Sequence, residues 1–280
     1  MKTILYATDL TEHSTLALKY AYKLSSRLNA KLLVLYVHEM DHIRISVSRP
    51  AAQIEYHVIK EQTEILTSYC VKHLNVPVDN KKLQVEVIQN DSVSNGILEK
   101  TKDIETDIII IGRKDKHTNR GLLVGNIGKG LQEKVPCPLL IIPNSIKNTS
   151  IKNILYATDF EEADILALKK LVPLAKTLGA NIHIVHISTE KEYAGKEQME
   201  WFKEMLRQEI DDTNIDFVLI FSDEIQDKLK VHANTIGADL LVLLEREEKG
   251  FFKKIFHISL VAKMEEHIAI PLLTYNELNL

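Results

Sequence analysis

Residues 38–42 have the residue types of a catalytic zinc site. His38, Glu39 and His42 follow the H-E-x-x-H spacing, in which two imidazoles on one face of a helix bind the metal and the glutamate acts as a general base. Here, however, His38 closes an apolar strand and polar, loop-like residues follow it, so the two imidazoles would not face the same way. We therefore interpret the motif as the surface end of a strand and predict no metal site.

A glycine-dense stretch over residues 121–130 is the second candidate for chemistry. Gly128 and Lys129 are similar to the end of a phosphate-binding P-loop, G-x-x-x-x-G-K-[S/T]. That motif would require glycine where Leu123 stands and serine or threonine where Gly130 stands. We therefore expect Lys129 on the exposed face of a helix. Because no Ser/His/Asp or Cys/His set stands out elsewhere, the sequence predicts a protein that is not an enzyme.

The sequence of the first predicted strand and of the start of the following helix occurs twice in the chain. Residues 4–9 (ILYATD) recur as residues 154–159, and the run LALK that begins at Leu16 recurs at Leu166. An offset of 150 residues is too long for a solenoid repeat and indicates a duplicated domain. The predicted domains cover residues 1–145 and residues 151–280.

Apolar periodicity predicts strands and helices in alternation within each repeat. The expected strands cover residues 3–8, 31–37, 83–88, 108–111 and 139–142, and then 153–158, 181–187, 215–221, 239–244 and 270–274. Helices lie between them, including two over residues 125–134 and 257–267. This order predicts a parallel sheet covered on both faces, whose ligands bind beyond the carboxyl ends of the strands where the strand order reverses. Asp9 and Gly112 both end strands and are expected at that edge.

Composition excludes several classes of partner. The 280-residue chain has a formal net charge of −4 and a pI near 6.3, which is not the charge distribution of a nucleic-acid-binding protein. No apolar run approaches the roughly 18 residues that cross a membrane, and the N-terminus does not resemble a signal peptide. Cys70 and Cys137 are too few for a disulfide framework. We expect a cytoplasmic protein that binds neither nucleic acid nor membranes.

Three features together resemble the universal stress protein family. They are a first strand that ends in Asp9, a glycine loop after the fourth strand, and a last strand of the first repeat that includes Pro136, Cys137 and Pro138. The resemblance covers essentially the whole chain, once in each repeat, as in the tandem form of the family. It implies an α/β, Rossmann-like fold in which each half is an open, five-stranded, mainly parallel sheet with helices on both faces.

The resemblance extends to the nucleotide loop of the family, G-x2-G-x9-G-[S/T]. The matching residues are Gly112, Asp115, Gly125 and Asn126, so the spacing is kept while the second glycine and the final hydroxyl are replaced. Glycines let backbone N–H groups approach phosphate oxygens, and a following helix N-terminus adds a favourable dipole. Asp115 places a carboxylate there, which nearby cations could offset: Arg113, Lys114, Lys116 and Arg120. The resemblance implies a degenerate loop that holds ATP, ADP or AMP, with Mg²⁺ for a triphosphate.

The base side of the site also follows from the resemblance. It implies that Asp9 contacts the ribose or adenine, while Ala7, Thr8 and Val37 line the base pocket. A structural alternative is open, in which Asp9 is a turn or helix-cap residue. Asp159, its counterpart, supports that alternative because it persists in the half with the weaker loop. The implied nucleotide-binding set comprises Ala7, Thr8, Asp9, Val37, Gly112, Arg113, Gly125 and Asn126.

The second half keeps less of the nucleotide loop. Where Gly112 stands in the first half, the second half runs into an acidic segment that contains Glu245, Glu247 and Glu248. Carboxylates at this place would repel a triphosphate, and only Ser259 matches the loop, at the position of Asn126. We expect nucleotide in the first half alone.

Two classes of function remain. The first is a stress-associated regulatory or binding protein that holds a nucleotide in its first domain and acts on a protein partner that the sequence does not name. The alternative is a nucleotide-free interaction scaffold, with a slow ATPase ranked third. Each repeat ends in an apolar strand that would otherwise be an exposed edge, so we expect the halves to pack as an intramolecular pseudo-dimer, and a further homodimer stays open.

Overall fold

Strands and helices alternate along the chain. The computed structural model describes residues 2–39, 51–77, 81–113, 130–131, 134–189, 195–210, 214–245 and 269–280. The strands are β1 (Thr3–Thr8), β2 (Lys31–Glu39), β3 (Leu83–Asn90), β4 (Ile108–Gly112), β5 (Leu139–Ile142), β6 (Asn153–Ala157), β7 (Asn181–Ser188), β8 (Ile215–Phe221), β9 (Leu240–Glu245) and β10 (Leu272–Asn276). The helices are α1 (Thr15–Arg27), α2 (Ala51–Leu74), α3 (Val93–Asp103), α4 (Glu162–Leu178), α5 (Gly195–Glu209) and α6 (Ile225–Thr235).

The first of two compact units, Met1–Cys137, contains parallel strands in the order β3-β2-β1-β4. In β1 the consecutive residues Ile4, Leu5 and Tyr6 are at most 1% exposed. Successive side chains of a strand point to opposite faces, so both faces of this sheet are covered. Helices α1, α2 and α3 contact these strands and supply the cover.

The second unit, Pro138–Leu280, has the strand order β8-β7-β6-β9-β10-β5. Its pairs are parallel except the last, in which β10 and β5 run antiparallel with Leu272 opposite Ile141 and Leu273 opposite Leu140. Every residue of β5 is buried. The last strand of the first repeat is therefore a core strand of the second unit.

The α/β class with mainly parallel strands is confirmed, and among the described residues each repeat supplies five strands, as predicted. The strands do not divide five and five between the compact units, because β5 pairs with β10. The expected contact between the two terminal strands is thus present, whereas the wider pseudo-dimer and the domain bounds 1–145 and 151–280 stay predictions. The helix predicted over residues 125–134 lies mostly, and that over 257–267 entirely, outside the described residues.

Cys70 should resist alkylation in the folded protein. Its side chain is 1% exposed on α2, and burial raises the pKa of the thiol to about 12. Because only the thiolate is nucleophilic, roughly one molecule in ten thousand would be reactive at pH 8. We expect iodoacetamide to modify the partly exposed Cys137 first and to reach Cys70 only after denaturant is added, as measured by mass spectrometry of tryptic peptides. Equal labelling of both thiols in the native state would contradict the packing of α2.

Candidate functional site

The carboxyl ends of β2, β1 and β4 meet at one edge of the first unit. In the register of these parallel strands Thr8 lies opposite Tyr36, and Ala7 lies opposite Ile111. The strand order reverses between β1 and β4, which is where open α/β sheets bind ligands. Six of the predicted site residues lie near the carboxyl ends of these strands or directly follow them: Ala7, Thr8, Asp9, Val37, Gly112 and Arg113. Gly125 and Asn126, like Asp115, lie outside the described residues.

The side chain of Thr8 holds the turn that follows β1. Its Oγ1 accepts a hydrogen bond from the N–H of Leu10 (3.1 Å), and it lies 3.2 Å from Oγ of Ser14. Leu10 has a φ of 61°, a left-handed conformation that bulky residues adopt rarely. The Thr8 hydroxyl is therefore engaged by the turn, whatever its backbone contributes to a ligand.

Asp9 also has a role in that turn. Its Oδ1 accepts hydrogen bonds from the backbone N–H (3.1 Å) and the hydroxyl (2.8 Å) of Thr11. This is the arrangement by which aspartate stabilises a turn two residues ahead of itself. The structural alternative raised for Asp9 is thus observed, and its contact with a ribose or base stays a prediction.

A buried hydroxyl network that the sequence does not indicate ties this turn to α2. Ser14 Oγ donates to the carbonyl of Thr11 (2.7 Å) and lies 2.9 Å from the hydroxyl of Tyr69, which itself donates to the Thr11 carbonyl (3.2 Å). Tyr6 donates to the Ser14 carbonyl (2.8 Å), and burial raises the pKa of that phenol. In the sequence Tyr69 reads as an apolar position of an amphipathic helix, so local spacing gives no signal for its polar role.

Val37 and Gly112 both stand at close contacts between a strand and a helix. A Cβ atom on Gly96 of α3 would lie 2.8 Å from Cγ1 of Val37, and Val37 is buried there. A Cβ atom on Gly112 would lie 3.2 Å from Cβ of Ala17 in α1. The absence of a side chain at Gly112 therefore lets α1 pack closely against the end of β4. This packing favours glycine at position 112 whether or not a phosphate binds there.

At the equivalent edge of the second unit, a leucine stands in place of Gly112 and an acidic residue in place of Arg113. Ile4 lies opposite Ile108 in the first unit, and Ile154 lies opposite Leu240 in the second. Counting along β4 and β9 from these pairs places Leu244 at the position of Gly112 and Glu245 at that of Arg113. Both Leu244 and Glu245 are buried in β9. Glu247, Glu248 and Ser259 lie outside the described residues.

A buried carboxylate closes the corresponding turn of the second unit. Asp164, which takes the place of Ser14, accepts hydrogen bonds from the hydroxyls of Tyr156 (2.8 Å) and Thr158 (2.9 Å). It also accepts bonds from the N–H groups of Asp159 (3.2 Å) and Glu161 (3.1 Å). Four donors converge on one carboxyl group that is 1% exposed, which compensates its burial. The role of Asp164 is therefore structural.

The structure describes an apolar cluster of α5 and the first part of the H-E-x-x-H run in β2, whereas His42 lies outside the described residues. In α5 the side chains of Phe202 and Leu206 are buried, whereas the neighbouring Trp201 is 46% exposed. His38 and Glu39 lie in β2, which is extended through Glu39, so the start of the H-E-x-x-H run is not helical. Within the described ranges no three His, Cys, Asp or Glu side chains are grouped closely enough to hold a metal ion.

The order of strands and the site edge at the switch point define a Rossmann-like α/β protein. A family model described as the universal stress protein family matches residues 1–143, and the chain belongs to that family. The structure of a universal stress protein from Archaeoglobus fulgidus superposes with a TM-score of 0.73 at 16% identity, covering 98% of each chain, and shows the same fold.

Two curated proteins are related in sequence. The stress response protein NhaX of Bacillus subtilis is 24% identical over 160 residues, which are 50% of this chain and 96% of NhaX. An uncharacterized protein of Schizosaccharomyces pombe is 23% identical over 145 residues, or 52% of this chain, and the chain spans 24% of the length of that relative. Among the described helices, none combines the length and the apolar character needed to cross a membrane.

Removing the hydroxyl of Tyr69 should destabilise the protein. Tyr69→Phe keeps the ring but deprives Ser14 and the Thr11 carbonyl of a buried partner, and we expect a loss of about 1–2 kcal/mol in the free energy of unfolding. Tyr56→Phe on the same helix is the matched control, because Tyr56 is 65% exposed. Urea unfolding followed by circular dichroism measures both. Equal stability of the two variants would show that the network does not hold the turn.

Proposed function

We propose that this universal stress protein is a stress-associated regulatory protein that binds ATP or a related nucleotide, ADP or AMP, in its first half. The observation that carries the proposal is that the neighbouring parallel strands β1 and β4 end at the switch point, where Asp9 follows β1 and Gly112 ends β4. Parallel sheets of this kind bind nucleotides at the switch point because backbone N–H groups and helix N-termini there can donate hydrogen bonds to phosphate oxygens. The contacts proposed for the ligand are Ala7, Thr8, Asp9, Val37, Gly112, Arg113, Gly125 and Asn126.

The difference between the two halves supports one site per chain. Arg113 follows the glycine of β4, whereas buried Glu245 occupies the equivalent position in β9, next to Leu244. A guanidinium attracts phosphate oxygens, while a carboxylate repels them and a leucine side chain blocks close backbone approach. The second half is therefore the natural internal control for the first.

A nucleotide-free scaffold is the second candidate function. Asp9 and Gly112 both have structural roles, one in the turn with Thr11 and the other against Ala17. These roles would preserve both residues in a crevice that has lost its ligand. The two candidates differ in a single measurable property, which is the occupancy of the first crevice by nucleotide.

The charge of Asp9 should matter for nucleotide affinity, whereas that of Asp159 should not. Asp9→Asn keeps an oxygen to accept the Thr11 bonds but removes the charge that would bind ribose hydroxyls, and we expect affinity for Mg-ATP to fall about tenfold, or ~1.4 kcal/mol. Asp159→Asn is the matched control. Isothermal titration calorimetry should show at most one site per chain in the wild type. Two equivalent sites, or equal effects of the two substitutions, would contradict the asymmetry.

A bulky residue at Gly125 should abolish nucleotide binding while leaving the fold intact. Gly125→Val would obstruct the approach of phosphate to the backbone in the loop that the family resemblance assigns. Calorimetry with Mg-ATP measures binding, and the thermal unfolding midpoint serves as the control for folding. Tight binding that survives the substitution would remove the phosphate loop from the proposed site.

We propose further that the protein is not an enzyme, so turnover of ATP should be negligible. Phosphoryl transfer needs a positioned nucleophile, metal ligands and groups that neutralise developing charge, and Asp115 is the single candidate for holding Mg²⁺ in the loop. Phosphate release from ATP should stay at the background rate in protein free of contaminating ATPase. Multiple turnovers that Asp115→Ala abolishes would assign the protein as an ATPase instead.

A further inference from the structure

Two histidines and an aspartate form an ionisable cluster in the second unit, where α6 packs on β7. Nδ1 of His183 in β7 lies 3.4 Å from Oδ2 of Asp216 in β8. His232 of α6 lies close enough that a positive charge on His183 disfavours its protonation. Nε2 of His232 is buried and has no hydrogen-bond partner in the part of the chain that the structure describes. The carboxylate of the cluster therefore pairs with one imidazole, and the second imidazole has no described acceptor.

In the first unit an ion pair holds the corresponding helix to the sheet. The registers of β2 with β3 and of β7 with β8 place Val218 at the position of Glu86. Counting on along the chain from these two residues places His232 of α6 at the position of Lys100 of α3. Nζ of Lys100 lies 2.7 Å from Oε1 of Glu86. The second unit therefore has a histidine in place of the cation and an apolar residue in place of its partner.

Burial supports this alignment of the two helices. Ile97 and Thr101 are buried in α3, and the residues at the same positions of α6, Leu229 and Ala233, are buried as well. The two helices thus turn the same face to the sheet, so the residues compared in the second unit lie in the same surroundings as the ion pair of the first.

The remaining charged groups near His232 lie on α6 itself. Lys228 lies one helical turn before His232 and is exposed, and Nζ of Lys230 lies 3.7 Å from Oδ1 of Asp227. In β6 the residue beside His183 is the buried and apolar Leu155. Protonation of His232 therefore adds a positive charge to a site that already has two histidines and a neighbouring lysine.

The two helices differ in their response to acid. Lysine and glutamate side chains ordinarily both stay charged between about pH 5.5 and pH 9, whereas histidine changes its charge within that range. Burial, and next the charge of His183, hold the pKa of His232 below its usual value. When α6 is released from the sheet, His232 binds a proton more readily than when the helix is docked. Its contribution to docking is therefore complete above about pH 6.5 and is lost as the pH falls through the lowered pKa.

We propose that His183 and His232 form an acid-sensitive contact, which keeps α6 docked on β7 at neutral pH and releases the helix in mild acid, when both imidazoles are positively charged. Release makes the apolar face of α6 accessible, including Leu229 and Ala233, next to Val231, which is exposed already. The second half of the chain is then a pH-responsive element, whereas the Lys100–Glu86 pair keeps α3 docked. This inference does not depend on the nucleotide site proposed for the first half.

Hydrogen–deuterium exchange of the full-length protein measures the release of α6. Peptides that cover α6 and α3 are followed by mass spectrometry at about pH 7.5 and about pH 5.5, and each rate is corrected for the intrinsic exchange rate at that pH. An exposed histidine with an ordinary pKa is protonated roughly ten to one at the lower pH, so the opening equilibrium constant of α6 should rise up to ~10-fold. The opening constant of α3 should stay within about twofold and is the internal control. Equal changes in both helices would overturn the proposal.

A side chain that does not titrate should remove the effect. His232→Gln keeps a hydrogen-bonding group of similar size but gains no charge in acid, so the opening constant of α6 should no longer depend on pH over this range. His57→Gln, which replaces an exposed histidine of α2, is the matched control and should leave the pH dependence of α6 as in the wild type. PH dependence that persists in a folded His232→Gln variant would overturn the role of His232.

The ion pair of the first unit can be introduced into the second. His232→Lys alone places a permanent positive charge beside His183, so α6 should open at least ~10-fold more often than in the wild type even at about pH 7.5. Combining His232→Lys with Val218→Glu supplies the carboxylate, and α6 should then stay docked at both pH values. If His232→Gln does not fold, the double variant takes its place, and acid release that persists in it would equally overturn the proposal.

Discussion

One hydrogen bond shapes the turn after the first strand in both units, from the N–H of a left-handed residue to the hydroxyl of the threonine two residues earlier. Thr8 holds Leu10 in this way, and Thr158 holds Phe160. The bond closes a short turn between a buried strand and the helix that covers it, and so it fixes which side chains meet at the switch point. In the first unit Asp9 is held in addition by its own hydrogen bonds with Thr11, so both residues take their positions from the turn.

The two repeats satisfy this turn with different chemistry. In the first, neutral hydroxyls of Ser14 and Tyr69 connect the turn to α2, which follows β2 in the chain. In the second, the carboxylate of Asp164 gathers its donors from the turn itself and from β6. The two repeats thus share the backbone of the turn but differ in the polar side chains that stabilise it. The buried carboxyl group of Asp164 is tolerated because four donors hydrogen-bond to it.

The sequence is informative wherever a local pattern decides the structure. Alternation and repetition suffice to predict β1 and β6, and the apolar run before Gly112 suffices to predict a strand buried on both faces. The pattern fails where a contact joins distant residues: Tyr69 reaches Ser14 across 55 positions, and the ring of Phe160, in the turn after β6, contacts that of Phe202 in α5. Gly112 at the end of β4 illustrates the same limit. From the loop motif, the glycine is expected because phosphate must approach the backbone, whereas the structure shows that a side chain there would also crowd Ala17 of α1.

The placement of β5 in the second unit has a consequence for synthesis on the ribosome. Its partner β10 follows about 130 residues later, so at roughly 5–20 residues per second the strand leaves the ribosome on the order of ten seconds before it can pair. During that interval Leu139–Ile142 is an apolar strand with an unpaired edge, the kind of segment that chaperones shield from aggregation. Completion of the fold is therefore tied to translation of its last strand, and any pause between the repeats lengthens that exposure.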